Sequence, residues 1–195
     1  MKMANTGASR RRTEAAIIDG AAKVLADRGE AAGMDEIAAS TGISRATLYR
    51  YFPSRELLLS AMARASIQEL ATRIDDARLE IAPFEEGLAR LARAILAAGR
   101  KYVALSADSA TYSRTQPDFD ARVIQPMHTL FERGLADGSL RSDLPLEVHL
   151  DLFSGLIKGA LDTTTSGRRG IEETAAAVTS VFLDGARSPR TAHSK

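Results

Sequence analysis

The sequence predicts an all-α protein, and three observations carry that prediction. Ala, Leu, Arg and Glu, which lose little freedom in a helix, dominate the 195 positions. Only six prolines interrupt them. No stretch alternates apolar with polar residues over the length of a strand. With 45% hydrophobic and 26% charged residues the balance is globular, enough for one ordinary domain or a small domain joined to a medium one.

Taken in order, residues 1–9 lack helical periodicity and are expected to be a disordered arm. The first helix is predicted over residues 10–28, where Ile18, Ala21, Ala22 and Leu25 form an apolar stripe and Gly29 provides a stop. A short helix follows at about 34–41 and another at 45–52, the latter capped by Ser44. Ser54 stands before a long helix running from Arg55 to about Glu80, and Pro83 opens the next, to about Leu105. The stretch "SADSATYSRTQPDFD" has no clear period. It leads to a helix at about 119–136 that contains Pro126, which removes a backbone hydrogen bond and should kink it. "ADGSLRSDLP" reads as a turn-rich connection, and "TTTSGRRG" separates two last helices at about 146–163 and 171–186. Residues 188–195 read as a disordered tail. A division near residue 54 gives a first domain over 10–54 and a second over 55–187, with the helix from Arg55 belonging to both.

Composition excludes several classes. A formal net charge of +1 says nothing about partners, so affinity for an anion must come from local charge placement. Cysteine is absent, which removes disulfide and thiolate chemistry and fits a reducing compartment. No apolar run approaches the roughly 18 residues of a membrane span, and "MKMANTGAS" lacks the apolar core of a signal peptide. A cytoplasmic protein with no membrane partner is expected.

Between Met34 and Phe52 the spacing becomes informative. Ile37, Leu48 and Phe52 are the large core-facing residues, and Ala38 is small where a second helix would cross. Gly42 falls at the turn, Ile43 plugs the corner and Ser44 caps the next helix. This is the spacing of a helix-turn-helix; an ordinary helical hairpin in a bundle is the alternative. The exposed face of the 45–52 helix argues for the first. Arg45, Ala46, Thr47, Tyr49, Arg50 and Tyr51 point outward there without a single acid. Arg forks onto guanine, Ala and Thr methyls meet a thymine methyl, and Tyr hydroxyls bond phosphates.

Two arginines sharpen the point. Arg45 and Arg55 each follow a serine cap, at a helix end whose partial positive charge disfavours a cation by about 0.3–1 kcal/mol. An arriving phosphate or base acceptor would offset that cost. Arg10, Arg11 and Arg12 add a basic arm ahead of the first helix, either a phosphate or minor-groove contact or a solubilising segment.

"MDEIAASTGISRATLYRYFPSRELLLSAM" resembles the N-terminal signature of TetR-family transcriptional regulators, over about residues 12–62. The resemblance rests on the glycine turn, the Thr-Leu-Tyr core of the recognition helix, the Phe and the basic residue three positions after it. It implies a three-helix DNA-binding domain with a helix-turn-helix, followed by a larger helical ligand-binding and dimerisation domain. The implied partners are a double-stranded DNA operator, a second copy of the chain and a small-molecule effector; no cofactor and no metal are expected. By the same resemblance Arg45, Ala46 and Thr47 face bases, Tyr49, Tyr51 and Arg55 hold phosphates, and Arg50 does either. Many members carry Thr or Ser at the cap of the second helix; Gly33 stands there in this chain.

Beyond about Ala82 the resemblance is architectural only. Leu146, Leu150, Phe153 and Ile157, with Gly155 and Gly159 nearby, form one stripe, and Val178, Val181 and Phe182 a facing one. They suit either a dimer interface of four helices or the protomer's own core. Tyr102, Tyr112, Met127, His128 and Phe131 are the candidate effector-pocket residues, combining aromatic surface with polar tips, and a core role is open for each.

An enzyme is the rival class. The histidines, His128, His149 and His193, are far apart in sequence, and there is no HExxH, no phosphate-cradling glycine loop and no Gly-x-Ser-x-Gly elbow. Glu85, Glu86, Glu172 and Glu173 lie at helix starts, where the dipole accounts for them. The reading is therefore a DNA-binding regulator, a repressor released by an effector, with an effector-free DNA-binding or adaptor protein as the alternative.

Overall fold

A computed structural model describes residues 2–28, 32–103 and 119–187. Helices α1 (Lys2–Arg28), α2 (Met34–Thr41), α3 (Arg45–Tyr51), α4 (Arg55–Ala77) and α5 (Phe84–Val103) come first. A π-helical turn, Asp120–Ile124, then leads into α6 (Gln125–Ala136), α7 (Leu146–Thr165) and α8 (Ile171–Ala186). Among the described residues the extended pairing is limited to a single antiparallel bridge between Leu140 and Arg187.

Three boundaries differ from the sequence reading. Helix α1 begins at Lys2, so the expected arm is helical and Arg10, Arg11 and Arg12 sit within α1. Lys2, Met3 and Ala4 favour a helix, and Gly7 alone costs only about 1 kcal/mol there. Helix α4 stops at Ala77 because Arg78 takes a left-handed conformation, φ 50°. Arg133 fixes that turn by donating to the carbonyls of Leu79, Glu80 and Ala82 at 2.9, 2.7 and 2.5 Å. Pro126 does not kink a continuous helix. It occupies the first turn of α6, where its missing N–H is least costly, and the π turn absorbs the change of pitch just before it.

The described residues fall into two compact units that divide within α4, after Ser66, and again within α5, after Gly99. In the first, Ile17, Ala21 and Leu25 of α1 pack with Ile37 and Ala38 of α2, Leu48 of α3, Phe52, and Leu58, Ala61 and Met62 of α4. The opening turns of α4 are thus core of the helix-turn-helix unit. Helices α1 and α2 cross so closely that a Cβ on Gly20 would lie 2.1 Å from Thr41 Cγ2.

The second unit is built on four rings. Phe131 stands 5.7, 5.5 and 5.8 Å from Phe84, Phe153 and Phe182, edge-on or tilted, arrangements worth about 0.5–1.5 kcal/mol per pair beyond burial. Gly134 lets α6 reach Phe84, whose Cδ2 would be 2.5 Å from an added Cβ. His149 is fully buried with Nε2 3.0 Å from the Arg141 carbonyl, so its Nε2–H tautomer ties the connection before α7 to that helix. The stripes offered for a dimer are largely spent inside the protomer: Leu150, Phe153, Ile157, Val178 and Phe182 are all buried, whereas Val181 is exposed. Among the described residues no helix is long and apolar enough to cross a membrane.

Candidate nucleic-acid interface

The geometry of the first unit follows from a few capping residues. Gly33 is extended (φ −87°, ψ 158°), and its N–H donates to the Glu36 carboxylate at 3.2 Å, which fixes the start of α2 without a side chain at the cap. Helix α2 ends in a Schellman turn: Gly42 adopts φ 67°, its N–H donates to Ala39 O at 3.2 Å, and Ile43 N–H donates to Ala38 O at 3.1 Å. A Cβ at Gly42 would meet nothing within 4 Å, so the glycine is there for its backbone angle. The chain turns directly into α3, where Ser44 Oγ accepts from Thr47 N–H at 3.2 Å. Ser54 Oγ accepts from Leu57 N–H at 3.3 Å at the start of α4.

These caps hold α3 with Leu48 fully buried and Phe52 beneath its C-terminus. Successive residues turn about 100°, so Ala46 and Arg50 occupy the centre of the opposite face. Arg45 and Tyr49 line one flank and Tyr51 the other. Arg45, Ala46, Tyr49 and Arg50 are exposed, and Thr47 and Tyr51 are half-buried. The structure therefore brings the candidate α3 residues onto one continuous surface.

Both flanks carry a guanidinium over a ring. The Arg45 guanidinium carbon is 5.5 Å from the Tyr49 centroid, and Nη1 of the same arginine lies 2.9 Å from Asp35 Oδ2. On the other flank Arg50 and Arg10 stand 5.7 and 5.9 Å from the Tyr51 centroid. Arg55 is half-buried at the first position of α4. Beside it the Glu56 carboxyl is held below its ordinary range by a hydrogen bond with Ser54, by its own backbone amide and by the Arg55 charge. Thus α3 and α4 each open with an arginine close to a carboxylate, which reduces the cost of the wrong-signed charge before any ligand arrives.

Asp35 is the residue that sequence reasoning missed. Ten positions separate it from Arg45, and only the steep α2–α3 crossing brings the two together; no helical repeat signals that. Arg10 was missed as a partner of Tyr51 for the same reason.

The candidate effector residues are not gathered in this way. Tyr112 and the Tyr102 side chain lie outside the described residues. Met127 and His128 are half-buried on α6, and Phe131 is fully buried at the centre of the four-ring cluster, a core position rather than a pocket wall. Two open clefts exist in the second unit. One of about 320 Å³ is lined by Leu79, Pro126, Thr129 and Arg133, among others, and one of about 740 Å³ by Arg73, Arg90, Arg93 and Ile171, among others.

Residues 17–62 match the family described as bacterial regulatory proteins, tetR family. The chain is 29% identical over 182 residues to the HTH-type transcriptional regulator NfxB of Pseudomonas aeruginosa, covering 89% of this chain and 94% of that one. It is 50% identical over 56 residues to the HTH-type transcriptional repressor LfrR of Mycolicibacterium smegmatis, 29% of each chain. The crystal structure of LfrR in complex with proflavine superposes with a TM-score of 0.69 at 25% identity, covering 91% of this chain and 99% of that one. A regulator from Thermus thermophilus, PfmR, shares the fold with a TM-score of 0.71 at 22% identity, over 86% of this chain and 97% of that one. The glycine turn, the serine-capped α3 with its acid-free outer face and these likenesses lead to one conclusion: residues 17–62 are a DNA-binding domain of the tetR family, and the chain is a DNA-binding transcriptional regulator, not an enzyme.

Proposed function

We propose that the protein is a cytoplasmic, homodimeric repressor that reads a palindromic operator with α3 and leaves it when a small molecule binds the second unit. The observation that carries this reading is the outer surface of α3. Arg45, Ala46 and Thr47 supply a fork and two methyl groups for base edges, Tyr49, Tyr51 and Arg55 supply phosphate donors, and Arg50 is central enough to reach either. One such short helix reads few base pairs, so a two-fold pair with half-sites near one helical turn apart, about 34 Å, is required for a specific site.

The second unit offers a surface for that pairing. Val148 and Leu152 of α7 and Val181 of α8 are exposed, and a Cβ on Gly155, Gly159 or Gly185 would meet nothing within 4 Å. Two such faces can pack closely as a four-helix contact. Release by an effector is supported by the kinship with LfrR, which was solved with proflavine bound. The second unit would carry both effector binding and pairing, and α4, which runs through the division at Ser66, would transmit the change.

Selection from random duplexes, followed by anisotropy titration, tests the reading. A preferred site bound by two protomers supports it, and equal affinity for all duplexes contradicts it. A library of metabolites and drugs screened by thermal shift, then titrated with and without the selected duplex, tests release. Linkage requires that an effector weakening DNA binding be weakened by DNA in equal measure, usually by about 1–3 kcal/mol. Equal ligand affinity in both titrations would leave a DNA-binding protein without a sensor.

A further inference from the structure

Arg10 of α1 and Arg50 of α3 approach the same ring. Their guanidinium carbons are 5.9 and 5.7 Å from the Tyr51 centroid, and Ser9, Arg10, Arg50 and Tyr51 line a cleft of about 300 Å³. Among the described residues neither arginine is ion-paired with a carboxylate, in contrast to Arg45 with Asp35 and Arg28 with Glu36. Two cations facing one cleft repel each other, and the Tyr51 π face only partly compensates. A phosphate between them would relieve that repulsion and accept hydrogen bonds from both forks and from the Tyr51 hydroxyl. Ser9 adds a fourth polar side chain at the rim. The elements support the arrangement: Tyr51 is half-buried against the α1–α2–α4 core, and α1 is anchored by Ile17, Ala21 and Leu25 about two to four turns further on.

We infer that these residues form a phosphodiester clamp joining α1 to the outer flank of the recognition helix. The site would hold one backbone phosphate beside the major groove, on the side of α3 away from Arg45 and Tyr49. It rests on the reading of α3 as the DNA-facing helix. The clamp gives Arg10 a fixed position on a helix, where the sequence alone offered a loose basic arm, and it sets register without reading bases.

The test compares the full-length wild type with Arg10→Ala and Tyr51→Leu on the selected operator and on a scrambled duplex across salt. Each phosphate contact adds about 0.9 to the magnitude of the log–log salt slope. Arg10→Ala should lower that slope by about 0.9 per bound protomer, weaken operator and scrambled duplex alike, and leave the preferred base at every position unchanged. Between about 50 and 200 mM salt the variant should then lose about 3.5-fold less affinity per protomer than the wild type. A scan of single methylphosphonates should find one phosphate per half-site whose neutralisation weakens the wild type more than Arg10→Ala. Arg10 is exposed, so its loss uncovers no core; Tyr51→Leu, which removes ring and hydroxyl together, should shrink the same methylphosphonate effect. An unchanged slope in Arg10→Ala, or a methylphosphonate profile shared by all three proteins, overturns the clamp while leaving α3 as the reader. A wild type that binds neither duplex overturns both readings.

Discussion

Asp35 Oδ2 lies 2.9 Å from Arg45 Nη1, so the first turn of α2 holds the arginine that opens the recognition helix. Both side chains are about 65% exposed, and an ion pair in that setting contributes only about 0–1 kcal/mol to stability. Its effect on DNA is expected to be larger than its effect on folding. The carboxylate orients the Arg45 fork and also repels phosphates, a penalty felt by every duplex. Asp35→Asn should therefore raise affinity for scrambled duplexes several-fold at low salt and raise operator affinity less, so that discrimination falls. Thermal unfolding should stay close to wild type. Discrimination that is unchanged or improved would contradict the orienting role.

Gly134 has a packing role that can be measured on the protein alone. An alanine Cβ there would fall 2.5–2.9 Å from Cδ2, Cε2 and Cγ of Phe84, a ring locked in the four-ring core. The helix preference for Ala over Gly, about 1 kcal/mol, works against that clash, which costs about 1–3 kcal/mol in a packed core. Gly134→Ala should lower the unfolding temperature by a few degrees. A stabilised variant would show that Phe84 has room to move.

The exposed apolar face of α7 and α8 gives a prediction about assembly. Leu152→Glu combined with Val181→Glu should shift sedimentation from dimer to monomer without loss of helical signal, since both residues are exposed in the protomer. Operator affinity should fall steeply, because the two half-sites would then be bound independently. An unchanged dimer would place the interface elsewhere.

Acid sensitivity has a local contributor in the connection between α6 and α7. The Arg141 guanidinium, 2.7 and 2.6 Å from the two oxygens of Asp143, holds that carboxyl below its ordinary range. A lowered folded-state value means the unfolded chain takes up the proton first as pH falls. The contribution is present at neutral pH and disappears as pH drops through the folded-state value. The difference in unfolding temperature between wild type and Asp143→Asn should be greatest near neutrality and vanish in strong acid. A difference that is constant with pH would mean the pair does not act through its charge.

Local signals in the sequence carried the first unit well. Gly42, Ser44, Leu48 and Phe52 sit at fixed offsets, each with one physical job, and the structure uses them for the turn, the cap and the buried face. What escaped was tertiary. Asp35 and Arg45, like Arg10 and Tyr51, meet only because α1, α2 and α3 cross at particular angles, and no period in the chain encodes those angles. The second unit was harder for a related reason. The apolar residues of α7 and α8 form broad stripes, and composition does not tell the buried set, Leu150, Phe153 and Ile157, from the outward one, Val148 and Leu152. Phe131 illustrates the same ambiguity, since an aromatic on an amphipathic helix reads equally as pocket or core, and here three other rings enclose it.

If α3 reads sequence through Arg45, a base-preference profile will show it. Wild type and Arg45→Ala would be titrated against every single-base variant of the selected half-site at one salt concentration. The variant should lose about 1–3 kcal/mol of discrimination at one base pair of each half-site, as expected for a lost bidentate contact, and keep the wild-type profile elsewhere. An identical profile for the two proteins, or a wild type with no preferred base anywhere, would contradict it.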